Sequence, residues 1–280
     1  MTLVSDSHVD VVRRNNVSVF GNPDGPTIVF AHGFGCSQQT WRRVTPAFVD
    51  DYHVVLFDHV GAGDSDISAY DSGKYDSLHG YADDLLEIID RLALHDVIYV
   101  GHSVSSMIGV LAATREPDQF GSLVLVGPSA RYVNDADSGY VGGFEQRDID
   151  ALLDALDANY LGWSSVMAPA IMGNAERPEL AEDLTASFCS IDPAIASQFA
   201  RVTFLSDNRD DLAKVVTPTL VLQNREDAIA PESVGQFVRD SIPGSEYVVM
   251  NARGHIPNLS EPDELVRSIK TFLLSRNTAE

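Results

Sequence analysis

A serine flanked by small residues stands between two apolar segments of different pattern. Ser103 lies in the motif GHSVS (101–105), after the short apolar run Tyr99-Val100 and before an apolar helical stretch. The motif G-x-S-x-small is typical of a sharp strand-to-helix turn, where the serine hydroxyl projects and the two backbones approach closely. The pattern predicts a nucleophilic serine. The last small residue here is Ser105, whereas glycine is the commonest residue at that position.

A serine nucleophile needs a base within hydrogen-bond reach, and a third group must orient that base. We assign His255 as the general base, because it follows an apolar run and stands in the glycine-bearing loop ARGHIP (252–257) before the last helical pattern. His32 and His102 belong to other motifs. Four further histidines stand in polar or helix-flanking contexts: His8, His53, His79 and His95.

The orienting acid is expected between Ser103 and His255, since the chain order for this arrangement is serine, acid, histidine. The segment LVLQNREDAIAP (220–231) supplies an apolar run, a polar loop and an acid. We choose Asp227 over Glu226, because Glu226 follows an arginine and fits a solvated surface charge. The sequence therefore predicts a Ser-His-Asp triad.

Acyl transfer places negative charge on a carbonyl oxygen, and backbone N–H groups stabilise that charge. One donor is predicted at Val104, directly after the serine. The other is predicted at Phe34, in the glycine-rich turn AHGFGC (31–36), with its ring against the substrate and His32 packed under the loop. A second turn, DHVGAGDS (58–65), lacks the lysine and the third glycine of a phosphate-binding loop and is interpreted as structural.

Short apolar runs alternate with helical patterns along most of the chain, which indicates an α/β fold with a mostly parallel sheet flanked by helices. The predicted strands are Thr27–Phe30, Val54–Phe57, Val97–Val100, Leu123–Val126, Thr219–Leu222 and Tyr247–Met250. Helices are predicted over Tyr81–Leu92, Val234–Ile242 and Val266–Leu274.

After the fourth predicted strand the strand pattern stops, and four helical patterns follow one another. We therefore predict a helical lid over residues 130–212, inserted into a core formed by residues 1–129 and 213–280. Five apolar side chains of the lid either line a pocket together with Phe34 or only pack the lid onto the core: Trp163, Met167, Phe188, Ile195 and Phe199.

The composition fits a globular protein with an acidic surface. Of 280 residues, 44% are apolar, and 41 Asp and Glu against 19 Lys and Arg give a net charge of −22. This charge repels phosphate backbones and anionic bilayers, so nucleic acid and membranes are not expected partners. No apolar run reaches the ~20 residues of a membrane span, and residues 1–14 lack the apolar stretch of a signal peptide.

The two cysteines, Cys36 and Cys189, form no metal-binding or redox spacing. Their scarcity fits a reducing compartment, so a cytoplasmic location is expected. No cluster of His, Cys and carboxylate residues indicates a metal site. We expect neither a metal nor a cofactor.

Motifs along the whole chain resemble those of the RsbQ-type α/β-hydrolases, a group formed by the bacterial stress-signalling hydrolase RsbQ and its plant relatives, the karrikin and strigolactone receptors. We call the turn formed by residues 101–105 the nucleophile elbow. Its last residue, Ser105, resembles the plant receptors more than RsbQ, which carries glycine at this position. The motifs are HGFGC (32–36) with Trp41, GHSVS (101–105), VGPS (126–129), GGF (142–144), YLGW (160–163) and ARGH (252–255).

The resemblance implies an α/β-hydrolase fold under a four-helix lid, a deep apolar pocket and slow hydrolysis of small esters or lactones. It also implies a sensory role, since RsbQ acts upstream of a partner phosphatase. Two functions stay open: a serine hydrolase of a small apolar ester or lactone, and a ligand receptor with slow hydrolysis that signals through a partner phosphatase. Haloalkane dehalogenases and epoxide hydrolases use an aspartate nucleophile at the elbow, so Ser103 argues against these two activities. Cofactor-free haloperoxidases and carbon–carbon hydrolases share the triad, so the triad does not exclude them.

Overall fold

The computed structural model describes residues 10–277, so His8 lies outside the described residues. Seven strands form one sheet: β1 (Ser18–Gly21), β2 (Thr27–Ala31), β3 (His53–Leu56), β4 (Val97–His102), β5 (Phe120–Val126), β6 (Thr219–Glu226) and β7 (Glu246–Arg253). Their order across the sheet is β1-β3-β2-β4-β5-β6-β7. Only the pairing of β1 with β3 is antiparallel among the strands of the described chain.

Helices follow most of the strands. The α-helices are α1 (Val11–Arg14), α2 (Leu78–Arg91), α3 (Val104–Arg115), α4 (Gln146–Ala158), α5 (Tyr160–Met172), α6 (Pro178–Cys189), α7 (Pro193–Phe204), α8 (Arg209–Leu212), α9 (Glu232–Ser241), α10 (Pro257–Ser260) and α11 (Pro262–Asn277). Short 3₁₀ helices span Gln38–Trp41, Thr45–Ala47, Ile67–Ala69 and Pro117–Gln119.

Both faces of the central sheet are buried, which explains why its strands are continuous apolar runs. Alternate residues of β2 enter opposite layers: Val29 packs with α2 and α3, whereas Ile28 and Phe30 pack with α11. All six residues of β4 are buried. The carboxyl end of β4 therefore has a fixed position at the centre of the sheet.

Several strands run further than the apolar pattern predicts, and β6 and β7 extend the most. β6 continues through Gln223 and Asn224, which are fully buried although polar. The Gln223 side chain donates to the Ala230 carbonyl at 2.8 Å, and the backbones of Gln223 and Asn224 pair with β7. These internal partners let polar side chains stay in the sheet. The edge strand β1 was not predicted, because three of its four residues are exposed.

Four helices, α4 to α7, lie between β5 and β6, and we call this segment (residues 146–204) the four-helix insertion. α5 packs against α6, and α4 packs against α7. The α7 N-terminus is capped by Asp192, whose carboxylate accepts the N–H groups of Ala194 and Ile195. The helices share an apolar core with the glycine-rich turn at residues 31–36, which we call the Phe34 loop.

The predicted fold class, a mostly parallel sheet flanked by helices with an inserted set of four helices, is confirmed. The predicted domain limits stay a prediction. In residues 10–277, no helix combines the length and apolar character needed to cross a bilayer.

Candidate active site

Ser103 stands on the sharp turn between β4 and α3. Its backbone angles are φ 56° and ψ −121°, a region that residues other than glycine rarely occupy. The turn is tight, since a Cβ atom on Gly101 would lie 2.5 Å from the Ser105 carbonyl oxygen. The Ser103 N–H donates to the Val126 carbonyl at 2.8 Å. This hydrogen bond anchors the turn to β5 and leaves the side chain at the carboxyl edge of the sheet.

The side chains of Ser103, His255 and Asp227 form one chain of hydrogen bonds. The Ser103 Oγ lies 2.7 Å from His255 Nε2, and His255 Nδ1 lies 2.7 Å from Asp227 Oδ2. Because a carboxylate only accepts, Nδ1 carries the proton and Nε2 is free to accept from the serine hydroxyl. All three side chains are buried. The structure thus brings the three predicted triad residues together.

Asp227 is held as a carboxylate by its neighbours. Its Oδ1 accepts the N–H groups of Ile229 at 2.8 Å and Ala230 at 3.0 Å. Burial raises the pKa of Asp227, but the electrostatic interaction and hydrogen bond with His255, together with these two N–H groups, outweigh burial, so the pKa lies below its ordinary value. Glu226 instead lies at the surface, 3.3 Å from the guanidinium of Arg253.

The loop that carries His255 is fixed by its backbone. The His255 N–H donates to the Ile171 carbonyl at the end of α5 at 2.8 Å, and the Gly254 carbonyl accepts from the Asn224 side chain at 2.9 Å. The His255 carbonyl lies 2.8 Å from His102 Nε2. Three segments distant in sequence therefore set the position of one imidazole.

His102 has a role that the sequence did not indicate. Its position between Gly101 and Ser103 suggests no function, yet its ring supports the loop that carries His255. Burial, and next the nearby His255, lower the pKa of His102 to about 3. The ring is neutral at physiological pH, and its Nε2–H donates to the His255 carbonyl. Its partner is 153 positions away, so no local pattern could have shown the contact.

Two backbone N–H groups are available beside Ser103. Val104 is the first residue of α3, where an N–H has no partner inside the helix. No hydrogen bond from the Phe34 N–H is found within residues 10–277. The Phe34 loop approaches the elbow closely, because a Cβ on Gly33 would lie 3.2 Å from the Ser103 Cβ and 2.7 Å from a ring nitrogen of His102. Only glycine permits this approach.

The Phe34 ring is the centre of an aromatic cluster. It contacts rings of the four-helix insertion at centroid distances of 5.6 to 6.3 Å, and these rings belong to Trp163, Phe188, Phe199 and Phe204. Met167 and Ile195 share the same apolar cluster. The structure thus groups the predicted pocket residues around Phe34. Whether they line a pocket or only pack the insertion stays a prediction.

Tyr132 and Phe204 lie beside these residues although no sequence pattern indicated them. Tyr132 follows β5, and its buried phenol lies close to the Ser103 side chain. Burial raises the pKa of Tyr132, so the phenol is neutral and able to donate. Its ring packs against Phe204 at 5.0 Å. Tyr132 lies in the connection between β5 and α4, where sequence patterns carry little structural information.

Within residues 10–277 no group of three or more His, Cys, Asp or Glu side chains is arranged to hold a metal ion. The sequence-based expectation that the protein uses no metal or cofactor stays a prediction.

Comparison with known proteins places the chain in a single large group. The family model described as "alpha/beta hydrolase fold" matches residues 26–262. The karrikin insensitive 2 receptor CA of Petunia hybrida is 39% identical over 257 residues, which cover 91% of this chain and 94% of that protein. Strigolactone esterase D14 of Arabidopsis thaliana is 38% identical and covers 95% of this chain, with 99% of that protein aligned.

A solved structure is similar to this chain along nearly all its length. The hydrolase olei00960 of Oleispira antarctica has 38% sequence identity and a TM-score of 0.91, with 95% of this chain and 96% of that chain covered. The resemblance to karrikin and strigolactone receptors that the motifs indicated is confirmed by these relatives.

Proposed function

The chain belongs to the α/β-hydrolase family, and on this premise we propose that it is a serine hydrolase that cleaves a small apolar ester or lactone through an acyl-enzyme. The observation that carries the proposal is the buried hydrogen-bond chain from Ser103 through His255 to Asp227, with 2.7 Å at each step. The aromatic cluster around Phe34 supports an apolar substrate.

In this mechanism His255 Nε2 accepts the hydroxyl proton while Ser103 Oγ forms a bond to the substrate carbonyl carbon. The carbonyl oxygen becomes an oxyanion and accepts hydrogen bonds from the N–H groups of Phe34 and Val104. Collapse of the intermediate breaks the ester bond, and His255 gives the proton to the leaving alcohol. Asp227 stabilises the imidazolium throughout. Water then attacks the acyl-enzyme by the same route and releases the acid.

Hydrolysis of an aryl acetate tests the proposal. The wild-type protein is expected to release the phenol, and Ser103→Ala is expected to lose at least about 10³-fold in kcat, because the nucleophile is gone. Ser106→Ala is the matched control. The Ser106 side chain is also buried, but its hydroxyl donates to the Gly101 carbonyl and does not contact His255. Full activity in Ser103→Ala would refute the proposal.

A second function is favoured by the names of the relatives, among them a karrikin insensitive receptor and a strigolactone esterase. We propose, as the alternative, a ligand receptor that hydrolyses its ligand slowly. Pre-steady-state kinetics separates the two. Rapid multiple turnover supports a metabolic enzyme, whereas one burst followed by slow release supports a receptor. An RsbQ-type role in stress signalling, a partner phosphatase and a cytoplasmic location stay predictions.

A further inference from the structure

A buried polar cluster joins the two chain segments that carry the backbone groups proposed to hold the oxyanion. It consists of Ser105, His59 and His32, and each of the three side chains is fully buried. The Ser105 hydroxyl donates to the His32 carbonyl at 2.5 Å, and His59 Nε2 lies 2.8 Å from the same hydroxyl. The proposed reaction uses none of these side chains directly.

The hydrogen positions in this cluster are fixed by its contacts. Because the Ser105 hydroxyl gives its proton to the His32 carbonyl, His59 Nε2 must carry a proton and donate to Ser105. The backbone N–H of His59 donates to His32 Nε2 at 3.1 Å, so Nε2 of His32 is unprotonated. The His32 proton is therefore on Nδ1, which lies 2.9 Å from the Gly33 carbonyl. Burial lowers the pKa of both His32 and His59, so both rings are neutral.

One peptide group connects this cluster to the reaction centre. The Gly33 carbonyl, which accepts from His32 Nδ1 and from the Cys36 N–H, belongs to the same peptide as the Phe34 N–H. The C=O and N–H of a trans peptide point in opposite directions. Holding the carbonyl against His32 therefore directs the Phe34 N–H away from the cluster.

Ser105 also connects the two halves of the proposed oxyanion hole. It directly follows Val104, one proposed donor, and its hydroxyl binds the carbonyl of His32, two residues before Phe34, the other donor. Glycine, the commonest residue here, could not make this contact. Ser105 thus joins the elbow to the glycine-rich loop through a single side chain.

We propose that Ser105, held by His59, is a positioning residue that fixes the Phe34 and Val104 N–H groups at the separation the oxyanion requires. The inference rests on the proposed hydrolase function and extends it. It concerns stabilisation of the tetrahedral intermediate and leaves binding of the intact ester unchanged.

The test compares Ser105→Ala with Ser106→Ala, two adjacent buried serines of α3 of which only Ser105 contacts the loop. Loss of an oxyanion donor costs about 10²–10³ in kcat, and a displaced donor is expected to cost roughly tenfold. Ser105→Ala should therefore lower kcat about tenfold with KM unchanged. It should weaken binding of phenylboronic acid, whose tetrahedral serine adduct mimics the intermediate, by a similar factor. Ser106→Ala should change neither quantity.

Two further variants keep the test decisive. His59→Leu removes the donor to Ser105 and should reproduce the kinetic loss. Ser105→Cys keeps the size and a weak donor and should lose less than Ser105→Ala; it also replaces that variant in the comparison if Ser105→Ala does not fold. Equal kcat and equal boronate affinity in the Ser105 and Ser106 variants would overturn the inference.

Ser103→Ala, measured alongside, separates this inference from the proposed function. If Ser103→Ala keeps the wild-type rate, the hydrolase mechanism fails and the inference fails with it. If Ser103→Ala is inactive and Ser105→Ala behaves as Ser106→Ala does, the mechanism stands and only the positioning role of Ser105 is wrong.

Discussion

At the scale of single residues, the site depends on imidazoles that the fold keeps neutral. His102 supports the loop of His255 through one hydrogen bond to its carbonyl. Protonating His102 is costly, because its ring is fully buried and the nearby His255 opposes a second positive charge. The same burial that makes His102 a stable support therefore makes the protein sensitive to acid.

This sensitivity gives a pH prediction. The pKa of His102 is about 3 in the folded protein and ordinarily 6.5. Between these values the unfolded chain binds the proton and the folded chain does not, so the free energy of unfolding falls as pH decreases from 6.5 towards 3. One such group contributes a slope of up to ~1.4 kcal/mol per pH unit.

Urea unfolding between pH 7 and pH 4 measures the slope. His102→Gln, which keeps a side-chain donor, should reduce this slope by up to ~1.4 kcal/mol per pH unit, because the unfolded chain then binds one proton fewer. His79→Gln, at an exposed position, serves as the control. An unchanged slope in His102→Gln would show that His102 does not titrate in this way.

At the scale of elements, the contact between the Phe34 loop and α6 links the site to the four-helix insertion. Gly35 has φ +73°, and a Cβ atom there would lie 1.5 Å from the Phe188 ring. The Gly35 carbonyl also accepts from the Ser187 hydroxyl at 2.8 Å. The loop and the helix consequently share one packed interface.

Gly35→Ala should therefore destabilise the protein strongly. Gly244 offers the matched control, because its φ is +71° but nothing lies within 4 Å of the added Cβ. Gly244→Ala is expected to cost about 1 kcal/mol for backbone strain alone. Gly35→Ala is expected to cost roughly 1–3 kcal/mol more, because it forces Phe188 to move. Equal midpoints of urea unfolding for the two variants would contradict this packing.

The elements also show what the sequence could and could not reveal. The turn at Ser103 was predictable, because its small neighbours are a local requirement of the backbone. The extension of β6 was not, since buried Asn224 looks like a loop residue until its partner, the Gly254 carbonyl, is known. The cluster of Ser105 and His59 was missed for the same reason: its contacts span 46 residues.

At the scale of the whole molecule, two chain segments join the four-helix insertion to the sheet, and charged side chains tie them together. Arg131, before the insertion, lies 3.0 Å from Asp207, which follows it. Arg209 contacts Asp207 at 2.7 Å and Asp135 at 2.9 Å. The Arg131–Asp207 and Arg209–Asp135 contacts cross between the two segments, so they restrain the base of the insertion.

Removing Arg209 should loosen the insertion as a unit. A network of this kind contributes about 1 kcal/mol to the free energy of opening the insertion. Amide hydrogen exchange in α4–α7 should therefore accelerate roughly fivefold in Arg209→Ala, whereas exchange in β4 and β5 should not change. Arg239→Ala is the control, since Arg239 pairs with the neighbouring Asp240 and packs on Tyr247. Uniform acceleration through sheet and insertion alike would contradict a local restraint.

The central claim is that Ser103 is the nucleophile, and covalent labelling tests it most directly. A fluorophosphonate reacts with an activated serine, and peptide mass spectrometry locates the adduct. We predict one adduct on Ser103, formed much more slowly in His255→Ala and at the wild-type rate in Ser106→Ala. An adduct on another residue, or no adduct on a protein that hydrolyses the aryl ester, would contradict the claim.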